Sequence, residues 1–302
     1  MISIVVISKD EPELGTTLTE LTAQAAAVEE PSEILVVDAS EGRLDHLAEA
    51  HPDVRWLTFD RPAGVAISIP HQRNAGVRAA RGEIIVFTDA GCRPDPKWLA
   101  RLLAPLRTED EKVVAGVAVG PAGRDGLYDQ SALRAGTYLD ECPTINLAFR
   151  REVFDAVGGF DEAFEYGSDA DFSWRIVEAG YRIRSVPDAL VAHDWGDRRR
   201  QARRSYAYGK ARARLYRKHR SRLRRLPRRE PMVAVYPIFL LGLPIALALS
   251  FLPGVSWAVL IFPCYLALLL VPAWRNRKNG AVRVIVDHLV YGAGVLAEVA
   301  RR

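Results

Sequence analysis

Cysteine is scarce in this chain, with 3 in 302 residues: Cys92, Cys142 and Cys264. The number is odd, the spacing is wide, and no pair has metal-ligand spacing. Neither a disulfide framework nor a structural zinc site is expected, and reduced thiols fit. The N-terminus, Met1-Ile2-Ser3-Ile4-Val5-Val6, lacks a basic n-region and a small-residue cleavage site. It reads as a strand rather than a signal peptide, which is expected to keep the N-terminal domain in the cytoplasm. No internal repeat is evident. Net charge is only +4, so the total says little about partners and the distribution of charge must be read instead.

That distribution is uneven. Residues 1–230 read as ordinary mixed, charged protein, whereas 232–274 are predominantly apolar. Between Arg198 and Arg229 about half of the residues are Lys or Arg, interleaved with Tyr206, Tyr208 and Tyr216. Such a block is compatible with a nucleic-acid patch, a solvated helix face or a juxtamembrane segment held by anionic lipid. Its position directly before the apolar stretch favours anionic membrane lipids over a solvated face. Clustered Lys/Arg alone carries no sequence readout, so a nucleic-acid partner is not expected.

Along residues 1–190 short apolar runs alternate with helical patterns. Strands are predicted at 2–7, 34–37, 54–59, 84–88, 113–119, 145–149 and 181–186, and helices at 13–28, 43–50, 70–81, 98–107, 151–157 and 170–179, with 120–140 a glycine-rich loop. Near-continuous apolar strands alternating with helices predict an α/β fold around a mostly parallel sheet covered on both faces. Ligands of such sheets bind at the carboxyl ends of the strands. Ser8, Glu11, Asp38 and Asp89 all fall at those ends. Three acidic residues on one rim suit a nucleotide's base and ribose and a bridging divalent metal better than bare phosphate.

Residues 232–252 and 255–274 are two uncharged apolar runs joined by Pro253-Gly254. At ~1.5 Å per residue, ~20 residues cross a ~30 Å hydrocarbon core. A transmembrane hairpin is therefore predicted, with its prolines tolerated, rather than a buried hairpin in a soluble core. Cationic flanks at 224–229 and 275–278 place both outer ends in the cytoplasm. The last segment, 281–300, is apolar but carries Arg283, Asp287, His288 and Glu298, and reads as an interfacial helix, with a third span as the alternative. The predicted parts are thus a 1–197 domain, a 198–230 basic juxtamembrane segment, a 231–274 hairpin and a 275–302 tail, at the inner membrane with the first domain cytoplasmic.

Four segments in order carry a family resemblance: "SIVVISKDEP", "EILVVDAS", "RNAGVRAARGEIIVFTDAGCRPDPKWL" and "NLAFRREVFDAVGGFDEAFEYGSDADFSWRIVEAGYRIRSVPDALVAHD". Over residues 1–195 the chain resembles a family 2 glycosyltransferase, an inverting enzyme of the GT-A fold, a Rossmann-like architecture. The hairpin resembles the membrane tails of many members. The resemblance implies a nucleotide-sugar donor and a lipid-linked or membrane-associated acceptor.

It also implies roles for individual residues. Ser8 and Glu11 look like nucleoside contacts, Asp38 like the acceptor of a hydrogen bond from the base, and Arg73 like a base or phosphate contact. Without the family, Asp38 reads as a plain strand-end Asp and Arg73 as a solvated helix residue. Asp89 matches the first Asp of an Asp-x-Asp motif that binds Mg²⁺ or Mn²⁺ on the diphosphate, where a cation stabilises the charge of the leaving group. The second carboxylate is missing: the segment is Asp89-Ala90-Gly91, which should weaken the metal, and an Asp restored at 91 should tighten it. His193 in "VAHD" matches a histidine that closes the diphosphate side, the alternative being an ordinary strand-end histidine. Asp169 in "GSDADFSWR" matches the catalytic base of a Glu-Asp motif whose Glu is replaced by Ser168. Asp169 near a helix N-cap and Asp171 in the first turn could equally be capping residues. The two departures leave open a degenerate protein that binds nucleotide-sugar or anionic lipid without turnover.

Overall fold

The computed structural model describes residues 1–120, 136–194, 198–249 and 281–301, with single helical positions at 267, 270 and 274. They fall into two compact units, Met1–Trp195 and Gly196–Arg302. Most of the predicted 120–140 loop and of the 255–274 run lies outside the described residues.

The first unit is built on a nine-stranded sheet. Its strands are β1 Ile2–Ser8, β2 Ser32–Asp38, β3 Arg55–Thr58, β4 Ile84–Asp89, β5 Arg93–Pro94, β6 Val113–Val119, β7 Tyr138–Leu139, β8 Asn146–Arg150 and β9 Ile183–Ala192. The order is β3-β2-β1-β4-β8-β6-β9-β5, with β7 also on β9. β1 to β4 run parallel, and β6 and β9 run with them, while β8, β5 and β7 are antiparallel to their neighbours. The sheet is therefore mixed but mostly parallel. Six helices cover it: α1 Leu14–Ala26, α2 Asp45–Ala50, α3 Ile69–Ala79, α4 Trp98–Thr108, α5 Arg151–Val157 and α6 Ser168–Glu178.

Period-two alternation sends successive strand residues to opposite faces. Ile4, Val6, Val36 and Val86 join a core with Leu14, Leu18 and Leu21 of α1 and Trp98, Leu102 and Leu106 of α4. Val5, Leu35, Val37 and Phe87 face the other way, toward Val77 of α3, Phe154 of α5 and Phe172 and Ile176 of α6. Both faces are buried, which is why these strands are continuously apolar.

The prediction of a strand at 181–186 is too short. β9 runs on through Pro187 to Ala192, because its ladder with β6 breaks register between Ala115 and Val117. The bulge accommodates a proline that a regular ladder would not. Asn146 repairs it: its amide donates to Val117 O at 3.0 Å and Ala189 O at 2.8 Å, and its Oδ1 accepts from Trp98 Nε1 at 2.8 Å. Only glycine fits beneath, since a Cβ on Gly116 would lie 2.3 Å from the Asn146 amide nitrogen.

The second unit is helical: α7 Arg198–Lys218, a 3-10 turn Arg220–Arg225, α8 Leu226–Arg229, α9 Met232–Leu249 and α10 Ala281–Val299. α10 is the segment read as an interfacial helix, and it packs on α7 and α9 through glycine. A Cβ at Gly209 would sit 2.0 Å from Tyr291 O, one at Gly294 2.1 Å from Tyr206 O, and one at Gly292 2.7 Å from Tyr236 Cβ. Glu298 is buried and receives Arg214 Nε at 2.9 Å and Arg217 Nη2 at 2.5 Å. Among the described residues no helix is long and apolar enough to cross a membrane. α9 covers the first part of the predicted hairpin, and most of the rest lies outside the described residues.

Candidate functional site

Parallel register puts the acidic rim in one place. Ser8 is opposite Asp38 on β2, and Ile7 is opposite Asp89 on β4. The C-terminal ends of three adjacent strands therefore carry Asp38, Ser8 and Asp89 side by side. Asp38 is buried, and its carboxylate accepts from the Ser40 hydroxyl at 2.5 Å and from the Ser40 N–H at 3.2 Å. That turn fixes the carboxylate and leaves it lone pairs to spare. Ser8 Oγ is buried and has no hydrogen-bond partner among the described residues, although a buried hydroxyl needs one. The Gln72 amide, in the orientation that satisfies its surroundings, donates to Val37 O at 3.1 Å and Ser8 O at 3.2 Å, locking α3 to the same strand ends.

Arg73 is buried, at 6% exposure, so its reading as a solvated helix residue does not hold. The reason is close packing: a Cβ on Gly76 would lie 2.5 Å from Val5 Cγ1, so α3 lies almost on β1 and turns Arg73 inward. Its Nη2 is 3.8 Å from Asp89 Oδ1, its Nη1 donates to Ser168 Oγ at 3.5 Å, and its Nε has no hydrogen-bond partner among the described residues. The guanidinium also lies 5.6 Å from the Phe160 ring centroid. This cation is held by long contacts and still has donors to offer.

The neighbouring Asn74 clasps the following loop, donating to Phe160 O at 2.8 Å and accepting from Phe160 N–H at 2.8 Å. Sequence reasoning gave Asn74, Gln72 and Ser40 no role. The available signal was three consecutive polar residues, Gln72-Arg73-Asn74, on a helix that must bury a face.

The loop clasped by Asn74 leads to α6. The helix starts at Ser168, capped by Gly167 with φ 77°, so Asp169 lies inside the first turn rather than at the N-cap. Its Oδ1 accepts from Ala170 N–H at 2.9 Å, and the helix N-terminus favours a negative side chain there. Asp171 is different: fully buried and bound by Arg175 Nε at 2.8 Å. Arg175 also donates to Val157 O and Gly159 O, each at 2.5 Å. Asp171 and Arg175 thus hold the loop, and Asp169 beside them is half-buried. Trp174 Nε1 donates to Glu141 Oε2 at 3.0 Å.

On the far side of Asp89 the chain turns at Gly91, φ 81°. Cys92 follows, fully buried, its Sγ 3.7 Å from His193 Nδ1. Burial pushes the Cys92 thiol up to about 12, with Asp89 and Glu11 adding to the effect. It stays protonated and fills space beside His193, whose backbone N–H donates to Val119 O at 2.9 Å. Glu11 comes from the β1–α1 loop. A Cβ on Gly91 would meet its carboxyl carbon and Oε1 at 3.3 Å. Residue 91 is left-handed and already faces the Glu11 carboxylate, so an Asp placed there would meet a second carboxylate in the same space. Among the described residues no three of His, Cys, Asp and Glu converge as a ready metal cage. Asp89, half exposed on the rim, fits a cation that keeps waters and donor oxygens in its shell.

The structure thus gathers Ser8, Asp38, Asp89, Glu11 and His193 along the β1, β2 and β4 ends, and Arg73 ties that rim to the start of α6, where Asp169 sits. Comparison with known proteins gives a consistent result. The "Glycosyl transferase family 2" model matches residues 3–160 and the "Glycosyl transferase family group 2" model matches residues 141–272. The succinoglycan biosynthesis protein ExoA of Rhizobium meliloti is 33% identical over 303 residues, covering 89% of this chain and 86% of that protein. The pre-mycofactocin glycosyltransferase of Mycobacterium tuberculosis is 30% identical over 178 residues, 53% of this chain, which spans only 37% of that relative's length. Among solved structures, a mannosyltransferase from Pyrobaculum calidifontis in complex with GDP-Man and Mn²⁺ superposes with a TM-score of 0.67 at 22% identity, covering 95% of this chain and 85% of that one. GalNAc-T7 with UDP, GalNAc and Mn²⁺ gives 0.52 at 18% identity, over 70% and 50%. The fold is GT-A-like, and the chain belongs to glycosyl transferase family 2.

Proposed function

We propose that this chain is an inverting glycosyltransferase that moves a sugar from a nucleotide-sugar donor to a lipid-linked or membrane-associated acceptor, at the cytoplasmic face of the inner membrane. One observation carries the reading. Buried Arg73 reaches both Asp89 Oδ1, at 3.8 Å, and Ser168 Oγ, at 3.5 Å, so the rim suited to a nucleotide and the carboxylate suited to a base belong to one site.

Ser8 and Asp38 face the nucleoside, with Glu11 beside them, and Arg73 faces the phosphates. Asp169 takes the proton of the acceptor hydroxyl as its oxygen attacks the anomeric carbon from the face opposite the diphosphate. The bond from that carbon to the diphosphate oxygen breaks, and the diphosphate leaves with the electron pair. One positioned carboxylate is enough, and such proton transfer contributes ~10²–10⁴-fold. Mg²⁺ or Mn²⁺ held by Asp89, with His193 nearby, would offset the charge of the departing diphosphate. The solved neighbours that carry Mn²⁺ with GDP-Man or UDP support this cofactor class.

Two features support attachment to the membrane. Basic helices α7 and α8 attract anionic lipid at ~1 kcal/mol per cation near the surface. On α9, Ile238, Leu241 and Ile245 are 60%, 59% and 60% exposed on one face. Full-length protein that resists both high salt and alkaline carbonate would support a spanning segment within 231–274, whereas release by salt would leave a peripheral enzyme.

The deciding experiment is a panel of UDP-, GDP- and dTDP-sugars tested for binding and then for turnover. Binding without hydrolysis or transfer would favour the second reading, a degenerate donor-binding protein, which draws on the loss of carboxylates at Gly91 and Ser168.

A further inference from the structure

The missing second carboxylate of the Asp-x-Asp motif has a counterpart in space. The place a side chain at 91 would occupy is bordered by Glu11, whose carboxyl carbon and Oε1 lie 3.3 Å from an ideal Cβ on Gly91. Gly91, φ 81°, leaves that space open. We propose that Glu11 acts as the second metal carboxylate, approaching from the β1–α1 loop in place of residue 91, so that Asp89 and Glu11 together hold the divalent cation on the donor diphosphate. The inference rests on the transferase reading and moves Glu11 from the nucleoside side to the metal side.

The loop that carries Glu11 is clamped against the turn after β4. Thr17 Oγ1 of α1 accepts from Gly91 N–H at 3.1 Å and donates to Cys92 O at 2.9 Å. Glu13 pairs with Arg93 at 3.1 Å, and the Gln24 amide donates to Asp95 O at 2.9 Å. On its other flank Asp10, φ 58°, forms a two-pronged pair with Arg43 at 2.6 and 3.1 Å. The backbone that carries Glu11 is thus anchored on both flanks, and Glu11 Oε1 accepts from Glu13 N–H at 3.5 Å. Arg73 pairs with Asp89 from the protein interior, so Glu11 adds its charge on the Gly91 side. Two carboxylates, diphosphate oxygens and water make a shell that Mg²⁺ and Mn²⁺ accept.

The test uses the full-length protein. Mn²⁺ is titrated in the presence of GDP or UDP, following the free-ion EPR signal, and nucleotide affinity is measured separately in EDTA. Glu11→Gln is expected to weaken Mn²⁺ binding by ~10-fold or more, since affinity follows ligand charge count, and to lower nucleotide affinity far more with Mn²⁺ than in EDTA. Gly91→Asp in the Glu11 background should weaken Mn²⁺ binding, as two carboxylates compete for one space. In the Glu11→Ala background the same change should strengthen it, because Asp tolerates the left-handed backbone, as Asp10 already does. That reversal of sign is the signature of substitution in space, and a merely misfolded variant does not produce it. Three results would overturn the proposal: Glu11→Gln with unchanged Mn²⁺ affinity, equal losses of nucleotide affinity with and without metal, or tighter Mn²⁺ binding by Gly91→Asp alone. A wild-type protein that binds no nucleoside diphosphate would instead overturn the transferase reading beneath it.

Discussion

The two units place their charges in opposite ways. In the sheet unit the buried carboxylates are few and each is individually held: Asp38 by Ser40, Asp171 by Arg175 and Glu111 by the Tyr138 hydroxyl, and half-buried Glu33 is held by Ser3, Arg81 N–H and Arg55. The carboxylates left on the rim, Asp89 and Asp169, are half-buried. In the helical unit cations dominate, Glu230 and Glu298 pair with part of them, and contact between helices depends on glycine. A sheet buried on both faces gives rigid strand ends from which chemistry can be aimed. A basic helical unit with exposed Ile238, Leu241 and Ile245 has the makings of an attachment surface. Chemistry and anchoring should therefore be separable by mutation.

The largest expected effect is Asp169→Asn. It should lower kcat by ~10²–10⁴-fold with donor affinity retained, because only the base is lost. Single-turnover transfer and donor binding measured side by side check this, and near-wild-type turnover rejects Asp169 as the base. Next comes Gly294→Leu, which forces a side chain into Tyr206 O. Overpacking of ~3 kcal/mol or more should loosen α7 from α10. Proteolysis should then cut the helical unit while nucleotide binding by the sheet unit persists, and a parallel loss of binding would refute the separation.

A smaller effect, with a defined pH window, is expected at Glu33. Burial raises its carboxyl, but hydrogen bonds from Ser3, Arg81 N–H and Arg55, with the charge of Arg55, outweigh that and hold it below 4.5. A lowered carboxylate contributes stability above its unfolded pKa and loses it as pH falls through the folded value. Glu33→Gln should cost about 1–2 kcal/mol at neutral pH, a cost that shrinks as pH falls through the lowered folded value, read from urea melts across an acid pH series. The smallest effect concerns truncation. A cut at 231, which the sequence suggests, would strip α10 from α7. Ending the chain at Trp195 instead follows the boundary between units, and nucleotide affinity should stay within ~3-fold of full length. A larger loss would show that the helical unit helps build the donor site.

Much of the sheet was legible from apolar runs alone, because strands buried on both faces must be apolar throughout. β6 and α5 are found where they were read, at 113–119 and 151–157. β9 was misjudged at Pro187, since the bulge that tolerates it is created by Asn146 and Gly116, distant in sequence. Asp38 and Asp89 were legible as strand ends.

The alternation of elements, the acidic residues at strand ends, the basic segment and the two departures at Gly91 and Ser168 can be read along the chain. These are local: they follow from side-chain period, turn chemistry and residue identity. Folding in three dimensions is what buries Arg73, lets Asn74 clasp the Phe160 loop, pairs Asp171 with Arg175 beside half-buried Asp169, and brings Glu11 to the space at Gly91. Each depends on how closely two elements approach, and that distance is set by packing. A missing Cβ at Gly76 draws α3 onto β1, and Thr17 draws α1 onto the turn after β4. No pattern along the chain encodes which residues then come face to face.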